Sequence, residues 1–376
     1  MLNLEAIRGQ LDELDSELVA LFEKRMSLCK EVAEFKIQTG KQVLDRKREA
    51  EKIQAVRSLA HGELNRSGVE DVFKQIMAVS RKLQYQMLAE HNMLDPIHFQ
   101  AVDTIKKDHV TVVYQGVPGA YSQSAMFQYF GDEIEYYAVH TWDDAMKAVS
   151  EGKADYAVLP IENSSAGMVV DVCDLLIKYN NIIVDECYLK VNHALMGLAD
   201  SDIRQIQTVY SHPQGLMQCA NYLEAHKDWE TISLNNTALS AQTVVQHNDP
   251  SKAAIASELA AKLYGLKILE HGVNDNKDNT TRFLIVAPTR IYRKNAKKLS
   301  ICLEIAHESG SLYQTLSHII YNDLNMTKIE SRPIPDKAWE YRFFIDMEGN
   351  LGDSSVQNAL KGMKEEVMSL KVLGNY

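Results

Sequence analysis

The sequence predicts a multidomain protein: an all-α helical domain first, an α/β domain in the middle and a ferredoxin-like βαββαβ unit last. Three observations lead there. Residues 1–90 contain no proline and keep a helical period throughout; from Val110 short apolar strands alternate with helical segments; and after a basic run over 290–298 the order becomes strand, helix, strand, strand, helix, strand. At 376 residues the chain also exceeds what one hydrophobic core normally supports.

The first helix carries the seam Leu4, Ile7, Leu11, Leu14, Leu18, Leu21, Arg25, Leu28, Val32 and Phe35. Its steps alternate three and four, the period of a coiled-coil face. Such a helix runs to about 48 Å at 1.5 Å per residue, and nothing in a 90-residue segment is large enough to cover it. A second copy is expected, giving a homodimer through the first helix. A second helix opens at Asp45, an N-cap type, after the Thr39-Gly40 break, and a third covers Val69 to Leu88. Residues 91–109, with Pro96, read as a linker.

In the middle domain, 110–290, the pairs are VTVVYQG then SQSAMFQYF, YAVLP then a helix after Ser165, and TVYSHP then a helix over Leu216–Glu224. WETISL and KAAIAS follow, and TRFLIVAP closes the series. This alternation implies a doubly wound α/β arrangement, long enough for two lobes. The last domain, 298–376, reads as strand Leu299–Ala306, helix Ser311–Asp323, strands Met326–Arg332 and Tyr341–Met347, helix Ser354–Val367 and a short strand.

Composition narrows the function. With 40 basic and 51 acidic residues the formal charge is −11, which argues against a nucleic-acid surface but not against small anions met by a local basic cluster. The five cysteines show neither metal-ligand nor redox spacing, so reduced thiols are expected and no metal site. The opening residues lack a signal-peptide pattern and no stretch approaches about 20 apolar residues. A cytoplasmic location without membrane contact is the expectation.

Charged and polar groups interrupt the helical seams. Arg25 stands on the apolar face of the first helix, and Lys36, eleven residues on, lies on nearly the same side. Burying an unpaired guanidinium costs several kcal/mol, so an anionic partner is required. On the third helix the seam Phe73, Met77, Ser80, Gln84, Met87 is polar at two of five positions. Register-fixing salt bridges would explain one such residue; the set favours a pocket for a small dicarboxylate.

The N-terminal segment resembles the all-helical class of chorismate mutases. The matching positions are Arg8, Arg25, Lys36, Asp45, Arg48, Glu49, Ser80 and Gln84. The resemblance implies chorismate as substrate, no cofactor, and Arg8 reaching into the partner's site. Arg8 and Arg25 would grip carboxylates, Lys36 and Gln84 would donate to the breaking ether oxygen, and Glu49 would hold the ring hydroxyl. A pericyclic rearrangement needs only a held near-attack shape and charge stabilisation. Several charge-assisted hydrogen bonds at about 1.5–3 kcal/mol each could supply the ~8 kcal/mol of a millionfold acceleration.

In the middle domain, strands end in small polar residues that open helices, at Gly119–Ser122, Glu162–Ser165, Ser211–Gln214 and Asn235–Thr237. N-capping explains any one of them; together they line one edge of a sheet as an anion cleft. PIENSSAG, YSHPQ, the run Ser257–Leu266 and NTTRF resemble prephenate dehydratases, which implies a bilobed fold like periplasmic binding proteins. Thr281 is then the implied catalytic proton donor to the departing hydroxide. Glu162, Asn163, Ser164, Ser211, Gln214, Thr237, Arg282 and Phe283 complete the expected prephenate shell.

The last domain resembles an ACT regulatory domain. Glu330-Ser331-Arg332-Pro333 matches a phenylalanine-binding motif, and Trp339 with Phe343-Phe344 follows at the family's spacing. Gly310 and Leu312 keep two positions of the partner motif, and Tyr313 departs from it. The resemblance implies L-phenylalanine as inhibitor, with a higher oligomer under phenylalanine left open. The alternatives are a small-anion sensor with an ACT module and a mutase with an inactive dehydratase-like region. A pairing with prephenate dehydrogenase would need a Gly-x-Gly-x-x-Gly turn, which Gln115–Gly119 does not supply.

Overall fold

The structure, a computed structural model, describes residues 3–91, 98–335, 337 and 339–376. The chain forms two compact units, residues 1–98 with 297–372, and residues 99–296 with 373–376.

The first unit begins with three helices. Helix α1 (Leu4–Thr39) is capped by the Asn3 side chain and ends at Gly40, whose φ of 68° suits glycine. Helix α2 (Arg46–Leu59) opens where expected, the Asp45 carboxylate accepting from the Arg48 amide. Helix α3 (Glu63–Glu90) starts six residues before the expected Val69. Gly68 lies inside it, where a glycine costs only about 1 kcal/mol, which packing overrides. Along α1 only Ala33 is buried, and Leu11, Leu14, Leu18, Leu21, Leu28 and Phe35 are all exposed.

In the second unit the expected linker is shorter than 91–109. Pro96 and the rest of 92–97 lie outside the described residues, while β1 (Gln100–Val102) already pairs in parallel with Ile291–Arg293, and Ile105 is buried. Then follow β2 (Thr111–Gln115), α4 (Tyr121–Phe130), β3 (Glu135–Val139), α5 (Trp142–Ser150), β4 (Tyr156–Asn163), β5 (Gly167–Met168), α6 (Val170–Lys178) and β6 (Ile182–Lys190). A second group holds β7 (His193–Gly197), β8 (Thr208–Ser211), α7 (Pro213–Gln218), α8 (Ala220–Glu224), β9 (Glu230–Ser233), α9 (Thr237–His247), β10 (Lys252–Ser257), α10 (Glu258–Tyr264) and β11 (Lys267–Glu270). The chain returns through β12 (Thr280–Ala287) and β13 (Ile291–Arg293).

Two sheets result, one in the order β6-β12-β4-β2-β3 and one in the order β11-β7-β10-β8-β9. Both are mixed rather than wholly parallel. Strand β12 runs antiparallel to β4 and β6, and β7 antiparallel to β10. β7 is buried at every position, as are the first four residues of β6, and a stretch buried on both faces lacks the alternation that a sequence reading needs. The single helix expected over Leu216–Glu224 breaks at Cys219 into α7 and α8.

The C-terminal part of the first unit contains β14 (Lys298–Glu304), α11 (Ser311–Tyr321), β15 (Met326–Pro333), β16 (Tyr341–Glu348), α12 (Ser354–Glu366) and the start of β17 (Ser369–Asn375), whose residues from Leu373 on belong to the second unit. The order β15-β16-β14-β17 is that of a ferredoxin-like unit, and α12 packs against both α11 and α3. No helix among the described residues is long and apolar enough to cross a membrane.

In the second unit one contact joins the two sheets' loops. Gly119, with φ +90°, has its carbonyl oxygen accepting from the Ser257 hydroxyl at 2.6 Å, and a Cβ there would meet Ala260 Cα at 2.7 Å. Gly119→Ala therefore combines backbone strain with a clash against a helix backbone. It should lower the urea-unfolding stability of this unit by about 1–3 kcal/mol.

Candidate functional site

Two clusters of buried polar side chains stand out, one in each unit. In the first, α3 presents Ser80, Arg81, Gln84 and Tyr85, each less than a tenth exposed. An Arg25 guanidinium N–H donates to Ser80 Oγ at 2.6 Å, and the Ser80 hydroxyl donates in turn to the Ile76 carbonyl at 2.8 Å. Lys36 Nζ donates to Gln84 Oε1 at 2.9 Å and to the Val43 carbonyl at 2.6 Å. Gln84 Nε2 donates to the Ser80 carbonyl at 3.2 Å. Thus Arg25, Lys36, Ser80 and Gln84 meet along one line between α1 and α3. Burial lowers the Lys36 pKa from the ordinary lysine value, opposed by the fields of Asp45, Glu49, Glu365 and Cys29.

Asp45 and Glu49 approach from α2. Glu49 does not stand alone: Arg81 donates to its Oε2 at 2.6 Å. Arg48 is largely exposed and lies 3.8 Å from Glu51. Arg8 lies seventeen residues before Arg25 on the same helix, about 25 Å away at 1.5 Å per residue, and does not join the cluster of its own chain.

The second cluster surrounds Thr281 on β12, which pairs with Asn163 on β4 and Leu189 on β6. Asn163 Oδ1 accepts from the amides of Ser165 and Ala166 at 2.9 and 3.0 Å, fixing the side-chain orientation. Its Nδ2 then donates to Thr281 Oγ1 at 2.9 Å and to Asn279 Oδ1 at 2.7 Å. Because Thr281 Oγ1 accepts here, its own hydrogen stays available for donation. Ser164 Oγ accepts from the Thr280 amide at 3.0 Å, so the turn and the strand are tied on both sides.

The other expected residues of this shell divide. Gln214 and Thr237 stand half-buried at the first turns of α7 and α9, which adjoin at Gly215. Ser211 is fully buried and donates to the Ile255 carbonyl at 2.7 Å, joining β8 to β10. Phe283 is 2% exposed within the core beside Tyr114 and Met126. Arg282 donates to Glu186 at 2.6 Å and to the Tyr376 hydroxyl at 2.9 Å, with Glu162 at 3.7 Å. These three hold the strands that carry Thr281 and the neighbouring loops.

In the C-terminal part, Gly310 adopts φ 83° just before α11. Glu330, Ser331, Arg332 and Pro333 lie on β15, the edge strand of its four-stranded order, with Ser331 opposite Phe343. Trp339 is 76% exposed. A cavity of about 340 Å³ is lined by Ser311, Tyr341 and Phe343, and a larger one of about 850 Å³ by Gly310, Tyr313, Glu49 and Arg81. Leu312, half-buried, follows on the same helix turn.

Several residues escaped the sequence reading. Arg81, Glu365 and Glu366 join the first cluster; Arg81 is a charge one position beside the α3 seam, which was the available signal. Asn279 joins the second. Nearby, Tyr121 Oη lies 2.9 Å from His193 Nδ1, and His193 Nε2 lies 2.9 Å from Gln218 Oε1. Burial lowers the His193 pKa, against the hydrogen bond that its Nε2 donates to Gln218, which raises it; the balance favours the neutral ring.

Comparison with known proteins gives two family matches: Chorismate mutase type II over residues 7–85 and Prephenate dehydratase over residues 112–290. The chain is 32% identical to the bifunctional chorismate mutase/prephenate dehydratase of Escherichia coli (strain K12), across 99% of this chain and 96% of that one. It is 30% identical to that of Aquifex aeolicus (strain VF5), across 100% and 98%. The structure of prephenate dehydratase from Arthrobacter aurescens in complex with L-Phe superposes with a TM-score of 0.67 at 27% identity, covering 71% of this chain and 90% of that one.

An NMR titration of the Lys36 ammonium should give a pKa below that of an ordinary lysine. Glu49→Gln removes a field that favours the cation, so it should move the value further down; an unchanged or raised value contradicts the assignment of causes.

Proposed function

Because the chain belongs to the bifunctional chorismate mutase/prephenate dehydratase family, we infer that its two polar clusters divide the two reactions between them. The chain is an enzyme of phenylalanine biosynthesis that rearranges chorismate to prephenate and converts prephenate to phenylpyruvate. The observation that carries the division is the location of the clusters. The Arg25–Ser80 and Lys36–Gln84 pairs fall within residues 7–85, and the Asn163–Thr281 pair falls within 112–290.

In the rearrangement, no bond to the protein forms. Arg25 binds a carboxylate of chorismate, with Arg8 of a second copy closing the site. Among the described residues Lys36 uses two of its three N–H groups, leaving the third for the ether oxygen, and Gln84 has one amide hydrogen to add. Glu49 accepts from the ring hydroxyl, Asp45 and Arg48 border the pocket, and Ser80 orients Arg25. Charge that develops on the ether oxygen then meets donors already in place.

In the second reaction, prephenate loses its ring carboxylate as CO₂ and its ring hydroxyl as water, and the ring becomes aromatic. Thr281 gives its hydrogen to the departing oxygen while Asn163 donates to Thr281 Oγ1, which stabilises the negative charge left on it. Solvent restores the proton. Glu162, Ser164, Gln214 and Thr237 bound the anion site, with Ser211, Arg282 and Phe283 supporting it.

Residues 298–376 are read as an ACT domain that binds L-phenylalanine as feedback inhibitor, next to a mutase domain over 1–90 and a dehydratase domain over 110–290. What supports this is the βαββαβ order, the Glu330–Pro333 motif and the L-Phe held by the Arthrobacter aurescens protein. The effector shell is Gly310, Leu312, Glu330, Ser331, Arg332, Pro333 and Trp339. The apolar seam of α1, exposed in the single chain, supports a homodimer through that helix.

Purified protein given chorismate without nucleotide should yield both prephenate and phenylpyruvate. Arg25→Ala should cut prephenate formation by about 10²-fold or more while supplied prephenate is still dehydrated, and Thr281→Ala should do the reverse. Joint loss in a folded protein would remove the division of labour. Calorimetry on the Glu330→Ala, Ser331→Ala double variant should show weakened phenylalanine binding; unchanged binding places the effector elsewhere.

A further inference from the structure

Helix α12 ends in two carboxylates, Glu365 and Glu366, and both reach the helical region. Glu365 Oε2 accepts from the Leu44 amide at 3.2 Å and from the Tyr85 hydroxyl, and the Glu365 carbonyl accepts from Arg46 at 2.5 Å. Glu366 Oε1 accepts from Arg81 at 3.0 Å, and the other arm of the same guanidinium donates to Glu49 at 2.6 Å. Arg81 is 8% exposed, and among the described residues its Nε has no acceptor, so these two carboxylates hold it.

The groups so held are those that serve the rearrangement. Leu44 sits between Val43, whose carbonyl accepts from Lys36, and Asp45, which caps the helix carrying Glu49. We propose that Glu365 and Glu366 are positioning residues of the mutase site, so that a helix of the C-terminal module completes the site of its own chain. The inference rests on the mutase reading of α1–α3. Neither carboxylate touches substrate. Glu366 keeps one arm of Arg81 occupied, so the other engages a single oxygen of Glu49 and leaves its second oxygen for the ring hydroxyl. Without Glu366, a buried guanidinium turns both arms onto Glu49 in the bidentate manner arginine favours.

Glu365 acts on Lys36 through the loop and through its charge. Facing Lys36 are Cys29 on α1, Asp45 at the N-cap of α2, Glu49 on α2, Gln84 on α3 and Glu365 on α12. Removing Glu365 takes away one of three carboxylate fields that sustain the cation, so Lys36 should lose its proton at lower pH.

The test uses the full chain, with dehydration of supplied prephenate as an internal control. In Glu366→Gln, kcat/KM for chorismate should fall about tenfold, equivalent to about 1.4 kcal/mol, with the dehydratase rate and helical circular dichroism unchanged. Glu366→Asp should recover part of the loss. In Glu365→Gln, the alkaline limb of the mutase pH profile should move to lower pH, whereas Glu366→Gln leaves that limb closer to wild type. An active wild type whose variants match it in rate and pH profile overturns this inference alone. So does a mutase loss that tracks lost helicity or a parallel loss of dehydratase. A wild type that leaves chorismate untouched removes the mutase reading, and this inference with it.

Discussion

Four polar side chains on two successive turns of α3 must be satisfied once they are buried, and the first unit is arranged around that requirement. An unpartnered buried polar group costs about 1–3 kcal/mol, and a charge costs more. Ser80 takes Arg25, Gln84 takes Lys36, Arg81 takes Glu49 and Glu366, and Tyr85 takes Glu365. Helices α1, α2 and α12 are thereby fixed to one stripe of one helix. His318 on α11 lies 3.1 Å from Glu366, and Gly362 on α12 leaves no room for a Cβ against the same histidine ring. The helix that follows the Gly310 loop is thus tied to the polar stripe as well.

The second unit uses the same constraint on a smaller scale. The Asn163 amide is oriented by two backbone N–H groups on its oxygen, and its nitrogen then holds both Asn279 and Thr281. Arg282, next along β12, is balanced by Glu162, Glu186 and Tyr376. In both units the polar groups pair with one another yet, among the described residues, leave three hydrogens unassigned: the third on Lys36, one on Gln84 and the hydroxyl hydrogen of Thr281. Donors held this way need little reorganisation when charge develops on a substrate.

Much of the fold was legible because its signals are local. The Asp45 cap, the proline-free helices and the strand–helix order of residues 298–376 each depend on neighbours within a few positions. The early start of α3, which carries Gly68 inside the helix, was not legible, and neither were β7 and the first half of β6, which are buried on both faces. The supporting roles of Ser211, Arg282 and Phe283 were also hidden, since a motif names residues without saying which face the substrate. Arg81 escaped because it stands one position off the α3 seam and its partners lie on other elements.

By itself the sequence determined which residues are chemically equipped and which faces are too apolar or too charged to stand alone: the α1 seam, Arg25, Lys36, the Ser80 and Gln84 pair, and the threonine of NTTRF. Only the tertiary structure decided the pairing. Glu49 and Glu366, more than three hundred residues apart, share one guanidinium, and Asn163 meets Thr281 across adjacent strands. Periodicity encodes what one element must bury, whereas the satisfaction of a buried charge depends on whichever distant element packing brings to it.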